Sequence, residues 1–140
     1  SVGYTDTMGI PVVKGRSFEA GDAGGAPVVL INEASVRKFF ADRDPIGARL
    51  KPGFGDSLPW FTIIGVLKDV KQGGVAEAAG TELYMLIPQY QRVLNAGPGQ
   101  LNIVVRSSLP LETLAPQYRR AVQELDATLP IIRSCRTASR

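Results

Sequence analysis

Residues 26–50 read APVVLINEASVRKFFADRDPIGARL, and the reading of the chain grows outward from them. Val28, Val29, Leu30 and Ile31 form an unbroken run of strand-forming residues behind Pro27, the pattern of a strand covered on both faces. Asn32 then offers a side-chain acceptor at the N-cap of a helix, and Glu33 sets a negative charge against the helix's positive end. Within that helix Val36, Phe39 and Phe40 recur at i, i+3 and i+4 and define the packed face. Glu33 and Arg37, at i, i+4 in the favourable order, define the solvated one. Asp44-Pro45-Ile46-Gly47 closes the unit, because proline disfavours helix in the residue before it and glycine permits the turn into the next extended segment. The stretch is a scaffold of strand, helix and turn in which no chemistry is visible.

Composition narrows what the rest of the chain can do. With 140 residues, 44% hydrophobic and 21% charged, the sequence has the size of one ordinary domain with a real core, with room for two lobes. A net charge of +3 and a pI of 9.2 arise from 16 basic and 13 acidic residues scattered without runs, so a nucleic-acid footprint is not expected. Histidine is absent, which removes the commonest general base, the Ser-His and Cys-His nucleophile pairs and the commonest zinc ligand. Cys135 is the single cysteine, so neither an internal disulfide nor a thiolate metal cluster is available, although an odd thiol can pair between molecules. No apolar run reaches the roughly 18 to 20 residues of a membrane helix. The start, SVGYTDTMGIPVVKG, lacks the basic and apolar regions of a signal peptide. Taken alone the chain reads as soluble, as would a segment of a longer protein.

Ahead of the central unit, residues 4–10 are expected to make one or two helical turns stopped by Gly9. Gly15-Arg16-Ser17-Phe18 reads as a tight turn that sends Phe18 into the core and leaves Arg16 to cap carbonyls, pair a carboxylate or anchor an anion. Residues 21–25 read as a flexible surface loop, and Glu19 and Asp22 beside it lack the alternating oxygen spacing of a calcium loop. Beyond the unit, residues 50–59 are an irregular connection. Its Gly53-Phe54-Gly55 is only superficially like a dinucleotide fingerprint, lacking the third glycine and the strand-to-helix setting.

Residues 60–66, WFTIIGV, read as a second strand continuing through Lys68, Asp69 and Val70, with Gly65 marking a bulge or a close backbone approach. Lys68, Asp69 and Lys71 then form the wet face of that strand. A small-residue connection over 72–80 leads to a third strand over 82–87 that Pro88 stops, and residues 90–99 form a second loop. LNIVVR, residues 101–106, reads as a fourth strand.

Leu111, Leu114, Ala115, Tyr118, Ala121, Val122 and Leu125 keep the 3.6-residue period and predict the longest helix over 111–126. Pro116 predicts either a short turn with the main helix starting near it or a kink. Ile131 and Ile132 begin a last strand, and the basic tail over 133–140 is expected to be loose. No phosphate-binding glycine loop ending in Lys-Ser or Lys-Thr occurs anywhere in the chain, which excludes nucleotide hydrolysis by such a motif. The order of elements predicts an α+β fold. It has a mixed sheet and two main amphipathic helices, in the split β-α-β style with a small α/β lobe.

Read together, the order of Tyr4, Met8-Gly9-Ile10, Gly15-Arg16-Ser17-Phe18, Asp22, Val28 to Glu33, Phe39-Phe40, Asp44-Pro45-Ile46-Gly47, Ile63 to Val70 and Glu82-Leu83-Tyr84-Met85 resembles the MacB-like periplasmic core domain of ABC transporter permeases, the MacB/FtsX class. The likeness continues through residues 101–106 and Leu125-Asp126, Leu129-Pro130-Ile131. It implies an extracytoplasmic domain on the periplasmic side of the bacterial inner membrane, excised from between the first two membrane helices of a dimeric permease. A cytoplasmic ABC ATPase would supply the energy, and a periplasmic adaptor or substrate protein would receive the conformational change.

The resemblance carries over no catalytic, cofactor-binding or metal-ligating residue, and no enzymatic activity is expected. Two other classes compete. One is a stand-alone module binding a small molecule or peptide, its pocket lined by Trp60, Phe61, Tyr84 or Tyr90. The other is a small hydrolase built on Asp42 and Asp44, which resemble ordinary helix-end caps.

Overall fold

The computed structural model describes residues 1–41, 43–53, 58–70, 79–95, 97 and 101–130. It divides into two compact units, Ser1–Val104 and Val105–Arg140. The first is built on a five-stranded mixed sheet, so the α+β class expected from the sequence is the one observed. Its strands are β1 (Val12–Gly15), β2 (Val28–Asn32), β3 (Arg49–Leu50), β4 (Phe61–Leu67) and β5 (Leu83–Met85). Their order is β1-β4-β2-β5, with β3 on the same edge of β4 as β1. β2 runs parallel to β4 and antiparallel to β5, while β1 and β3 run antiparallel to β4.

Every residue of β2 is buried. Val28 and Leu30 pack on one face with Ile10, Phe18, Leu67 and Leu86, and Val29 and Ile31 pack on the other with Phe61, Ile63 and Val66. This is the two-sided cover that the continuous apolar run predicts. β4 keeps to the same two faces only because it gains a residue. Val29 stands opposite Ile63 while Leu30 stands opposite Gly65, so Ile64 is skipped. The extra residue restores Val66 to the face of Ile63, which a two-residue alternation would forbid. Gly65 is therefore both the bulge and the close approach read from the sequence, since a Cβ there would lie 2.2 Å from the Arg16 carbonyl oxygen.

Between β2 and β4 the chain forms α2 (Glu33–Phe39), capped by Asn32, whose side chain accepts the Ser35 N–H at 3.0 Å. Val36 and Phe40 pack on the sheet, but Phe39 is 58% exposed, contrary to the packed face expected for it. The helix ends at Phe39, and Phe40 closes it by donating to the Val36 carbonyl, so i and i+4 suffice to cover the sheet. Gly47 makes the expected turn at a φ of +81°. In front of β1, α1 (Tyr4–Met8) is stopped by Gly9 in the left-handed region, as predicted.

Several elements differ from the sequence reading. β1 was not expected, whereas β3 is the extended segment expected after Gly47; the two are only four and two residues long and are fixed by pairing to β4 rather than by their own pattern. Residues 21–25 are no loose loop, because Ala20–Ala23 forms a 3₁₀ turn whose Asp22 is bonded to Arg16. Pro88 does not stop a strand over 82–87. It occupies the first turn of α3 (Ile87–Leu94), where a missing N–H costs nothing, and β5 is correspondingly short. Residues 90–94 of the loop expected over 90–99 are thus helix.

Residues 101–106 carry no strand, since no ladder partner reaches them among the described residues, and Leu101, Ile103 and Val105 are exposed. In the second unit α4 (Leu111–Leu125) is a single helix running through Pro116, not a turn followed by a later start. The strand expected at Ile131 and Ile132, the tail with Cys135 and most of the 72–80 connection lie outside the described residues.

Candidate functional site

Three constellations of side chains stand out in the first unit. The first closes the turn after β1. Arg16 donates to both carboxylate oxygens of Asp22, at 2.7 and 2.8 Å, and to the Ser17 carbonyl at 3.0 Å. The Glu19 N–H adds a third bond to Asp22 at 2.8 Å. These hydrogen bonds, from Arg16 above all, hold the Asp22 carboxyl below its usual range and push the Arg16 guanidinium above its own. Of the roles open to Arg16, the structure shows carboxylate pairing together with the capping of a carbonyl. α3 fastens the same turn from behind. Gln89, fully buried, accepts the Val28 N–H and donates to the carbonyls of Asp22 and Ala26, while Arg92 donates to those of Ala23 and Gly25.

The second constellation locks α2 to the end of β4. Asp69 accepts the Ala34 N–H at 2.8 Å and pairs with Arg37 at 2.6 Å, and the Asp69 N–H donates to Glu33. Arg37 therefore bonds Asp69 rather than Glu33, and Asp69 is a helix anchor rather than part of the wet face of a strand, which ends at Leu67. Lys68 is exposed, and Lys71 lies outside the described residues. Asn32 continues this lock inward: its Oδ1 also accepts from Ser35 Oγ and the Glu82 N–H, and its Nδ2 donates to the Gly80 carbonyl at 2.7 Å.

The third is a surface. A cleft of about 650 Å3 opens between the last turn of α2, the end of β3 and the start of β5, lined by Phe39, Phe40, Leu50, Pro52 and Leu83 together with the charged Lys51 and Glu82. Beside it Trp60, 53% exposed, carries Arg49 at 5.9 Å and Lys51 at 5.4 Å from its ring centre, and Lys38 stands 5.3 Å over Phe39. Of the aromatics expected to line a pocket, none lines this one. Phe61 is core and Trp60 stands outside the cleft. Tyr90 belongs to α3, and Tyr84 packs on Tyr4 with ring centres 6.1 Å apart. Tyr84 donates to Glu82, and burial first, then that bond, pushes its phenol well above the ordinary value. The sequence signal missed here was Phe39, assigned to the core by its period although it ends the helix.

Of the two carboxylates weighed for a hydrolase, only Asp44 is described. Asp44 accepts the Ile46 N–H and pairs with Lys14, both at 3.0 Å, as a turn cap does, and Asp42 lies outside the described residues with Phe54 and Gly55. Among the described residues no group of three or more His, Cys, Asp or Glu side chains is placed to hold a metal ion. Nor, among them, is any helix long and apolar enough to cross a membrane.

The chain belongs to the MacB-like periplasmic core domain family, whose model matches residues 1–125. Its fold is similar to the periplasmic region of MacB from Actinobacillus actinomycetemcomitans, with a TM-score of 0.65 and 17% identity over 88% of this chain and 53% of that one. It is equally similar to the extracellular domain of the noncanonic ABC-type transporter YknZ from Gram-positive bacteria. There the TM-score is 0.65 and the identity 20%, over 92% of this chain and 63% of that one. The chain thus spans between half and two thirds of the solved structures it matches. No curated protein matches the sequence.

Proposed function

We propose that this chain is part of the extracytoplasmic domain of an ABC-type permease and relays conformational change without catalysing a reaction. A cytoplasmic ATPase drives membrane helices that flank the domain, and the domain passes their movement to a periplasmic adaptor or substrate protein, within a permease dimer. The family match over residues 1–125 carries this reading. The physical support is the way the sheet is braced. A relay must turn as a body rather than deform, and the bonds of Gln89, Asn32 and Asp69 tie α3, β5 and α2 to the central strands.

The test has two parts. The parent gene should encode apolar runs of about 20 residues on both sides of this segment. In the permease reconstituted with its ATPase, Gln89→Leu should lower transport while leaving nucleotide binding by the ATPase unchanged. An open reading frame closely framing these 140 residues would refute the assignment. Transport unaffected by loosening α3 would refute the relay. The cleft is the observation that favours the second reading, a stand-alone binding module, which a saturable thermal shift with a small molecule would support.

A further inference from the structure

We infer that the first turn of α2 is a two-sided clamp on the connection between β4 and β5, so that the helix and both ends of that connection open together as one conformational unit. The inference deepens the relay reading by naming a coupling element within the domain, and rests on that reading for the use to which the coupling is put.

Helical spacing sorts the residues of the clamp. Asn32 and Ser35 stand three positions apart and share one side of the turn, where the Ser35 hydroxyl donates to Asn32 Oδ1 at 2.8 Å. On that side Asn32 Nδ2 donates to the Gly80 carbonyl at 2.7 Å, Asn32 Oδ1 accepts the Glu82 N–H at 3.0 Å and Ser35 Oγ donates to the Glu82 carbonyl at 3.1 Å. Glu33 and Arg37 stand four apart and share the other side. There Glu33 accepts the Asp69 N–H at 3.3 Å, and the Asp69 carboxylate accepts from the Ala34 N–H at 2.8 Å and from Arg37 at 2.6 Å. The chain thus leaves β4 on one side of a single helical turn and enters β5 on the other, with residues 70–79 between the two holds.

The dependence runs both ways. The N–H groups of Ala34 and Ser35 are among those a helix leaves unpaired at its start, and they are met by Asp69 and Asn32. α2 has seven residues, too few to persist without such support, so losing either hold weakens the turn, and losing the turn frees both ends of the connection. Asn32 is fully buried, which makes a half-released state costly and the opening cooperative. The release also reaches the cleft, because α2 contributes Ser35, Phe39 and Phe40 to its lining and the approach to β5 contributes Thr81, Glu82 and Leu83. A displacement arriving at the connection is then passed to α2 and the cleft rather than absorbed between the strands.

The experiment follows amide hydrogen exchange residue by residue, by NMR, in the 140-residue chain and in variants that each touch one side of the clamp. Asp69→Ala should speed exchange of the Glu82 N–H, which Asp69 does not bond, by about tenfold. Ser35→Ala should speed the N–H groups of Ala34 and Asp69 on the opposite side by a similar factor. Asp69→Asn, which keeps an acceptor for Ala34, should restore part of the protection at Glu82. The amides of Val29 and Leu30 in β2 serve as the reference and should keep their rates, since the opening is local. Acceleration confined to the side that carries the substitution would overturn the inference, as two independent anchors would then replace the clamp. Equal acceleration at the β2 amides would overturn it too, because the substitutions would then act through global unfolding. The coupling is read in the chain alone, so its failure leaves the gene-context and transport tests of the relay standing.

Discussion

Gly65 is the residue on which the sheet's register turns, and it has no room for a side chain. A Cβ would stand 2.2 Å from the Arg16 carbonyl oxygen and 2.9 Å from Leu30 Cδ2, so backbone must move to admit it. Gly65→Ala is therefore expected to lose roughly 1–3 kcal/mol, seen as a lower urea midpoint with an unchanged slope. An unchanged midpoint would mean that β1 and β4 part freely there. Asp22 gives a second test at this scale, through pH. Its folded pKa is depressed, chiefly by the Arg16 hydrogen bonds, so folding favours the ionised form. The stabilisation is fully present above the unfolded value of about 4 and is lost as pH falls through the lower folded value. Arg16 is partly exposed and the pair is screened, so Asp22→Asn should cost roughly 1 kcal/mol at pH 7. The two proteins should converge in stability as the solution is acidified below about pH 4. A gap that stays constant with pH would remove the ion pair from the account.

At the scale of elements, α3 is held by one buried side chain and one exposed one, and the two should differ. Gln89→Leu leaves the buried Val28 N–H without its acceptor and removes the bonds to the part-buried carbonyls of Asp22 and Ala26, at a cost of roughly 1–3 kcal/mol for a buried group left unpaired. Arg92→Ala exposes its two carbonyl partners to water and should cost less than about 1 kcal/mol by urea denaturation. Equal losses would show that α3 is held by its surface bonds. α3 also shows what the sequence does and does not reveal. β2 and α2 were readable because every signal for them is local: an apolar run, an Asn cap, a closing Asp-Pro-Ile-Gly turn. Pro88 was ambiguous, since proline ends a strand and opens a helix with the same ring, and only the reach of Gln89 across to Val28 selects the helix. β1 and β3 are defined by β4 alone. The cleft was illegible for the same reason, being assembled from residues near 39, 51 and 83 that no spacing relates. Residues 101–106 show the converse, a good strand pattern without a neighbour to pair with.

For the molecule as a whole, the two units differ in how much each element is supported. The central strands are buried on both faces, and opening them means exposing both apolar clusters. α4 has fifteen residues, none of them buried, and an internal Pro116 that removes one N–H from its ladder. Its half-buried stripe of Leu111, Leu114, Tyr118 and Val122 follows the period read from the sequence. A helix of that length without burial is marginal in water, because nucleation is costly and each further residue contributes little. Native-state hydrogen exchange should therefore divide the chain. The amides of β2 and β4 should exchange only through global opening, and those of α4 should exchange through fraying, at least about a hundredfold faster. In the full permease proposed above, an apolar surface seated on the α4 stripe would slow the same amides. The contrast between the isolated chain and the permease thus measures how much of the support for α4 lies outside these 140 residues. Protection of α4 equal to that of β2 in the isolated chain would show that the helix is already packed, and would remove the expectation that its stripe takes a further partner.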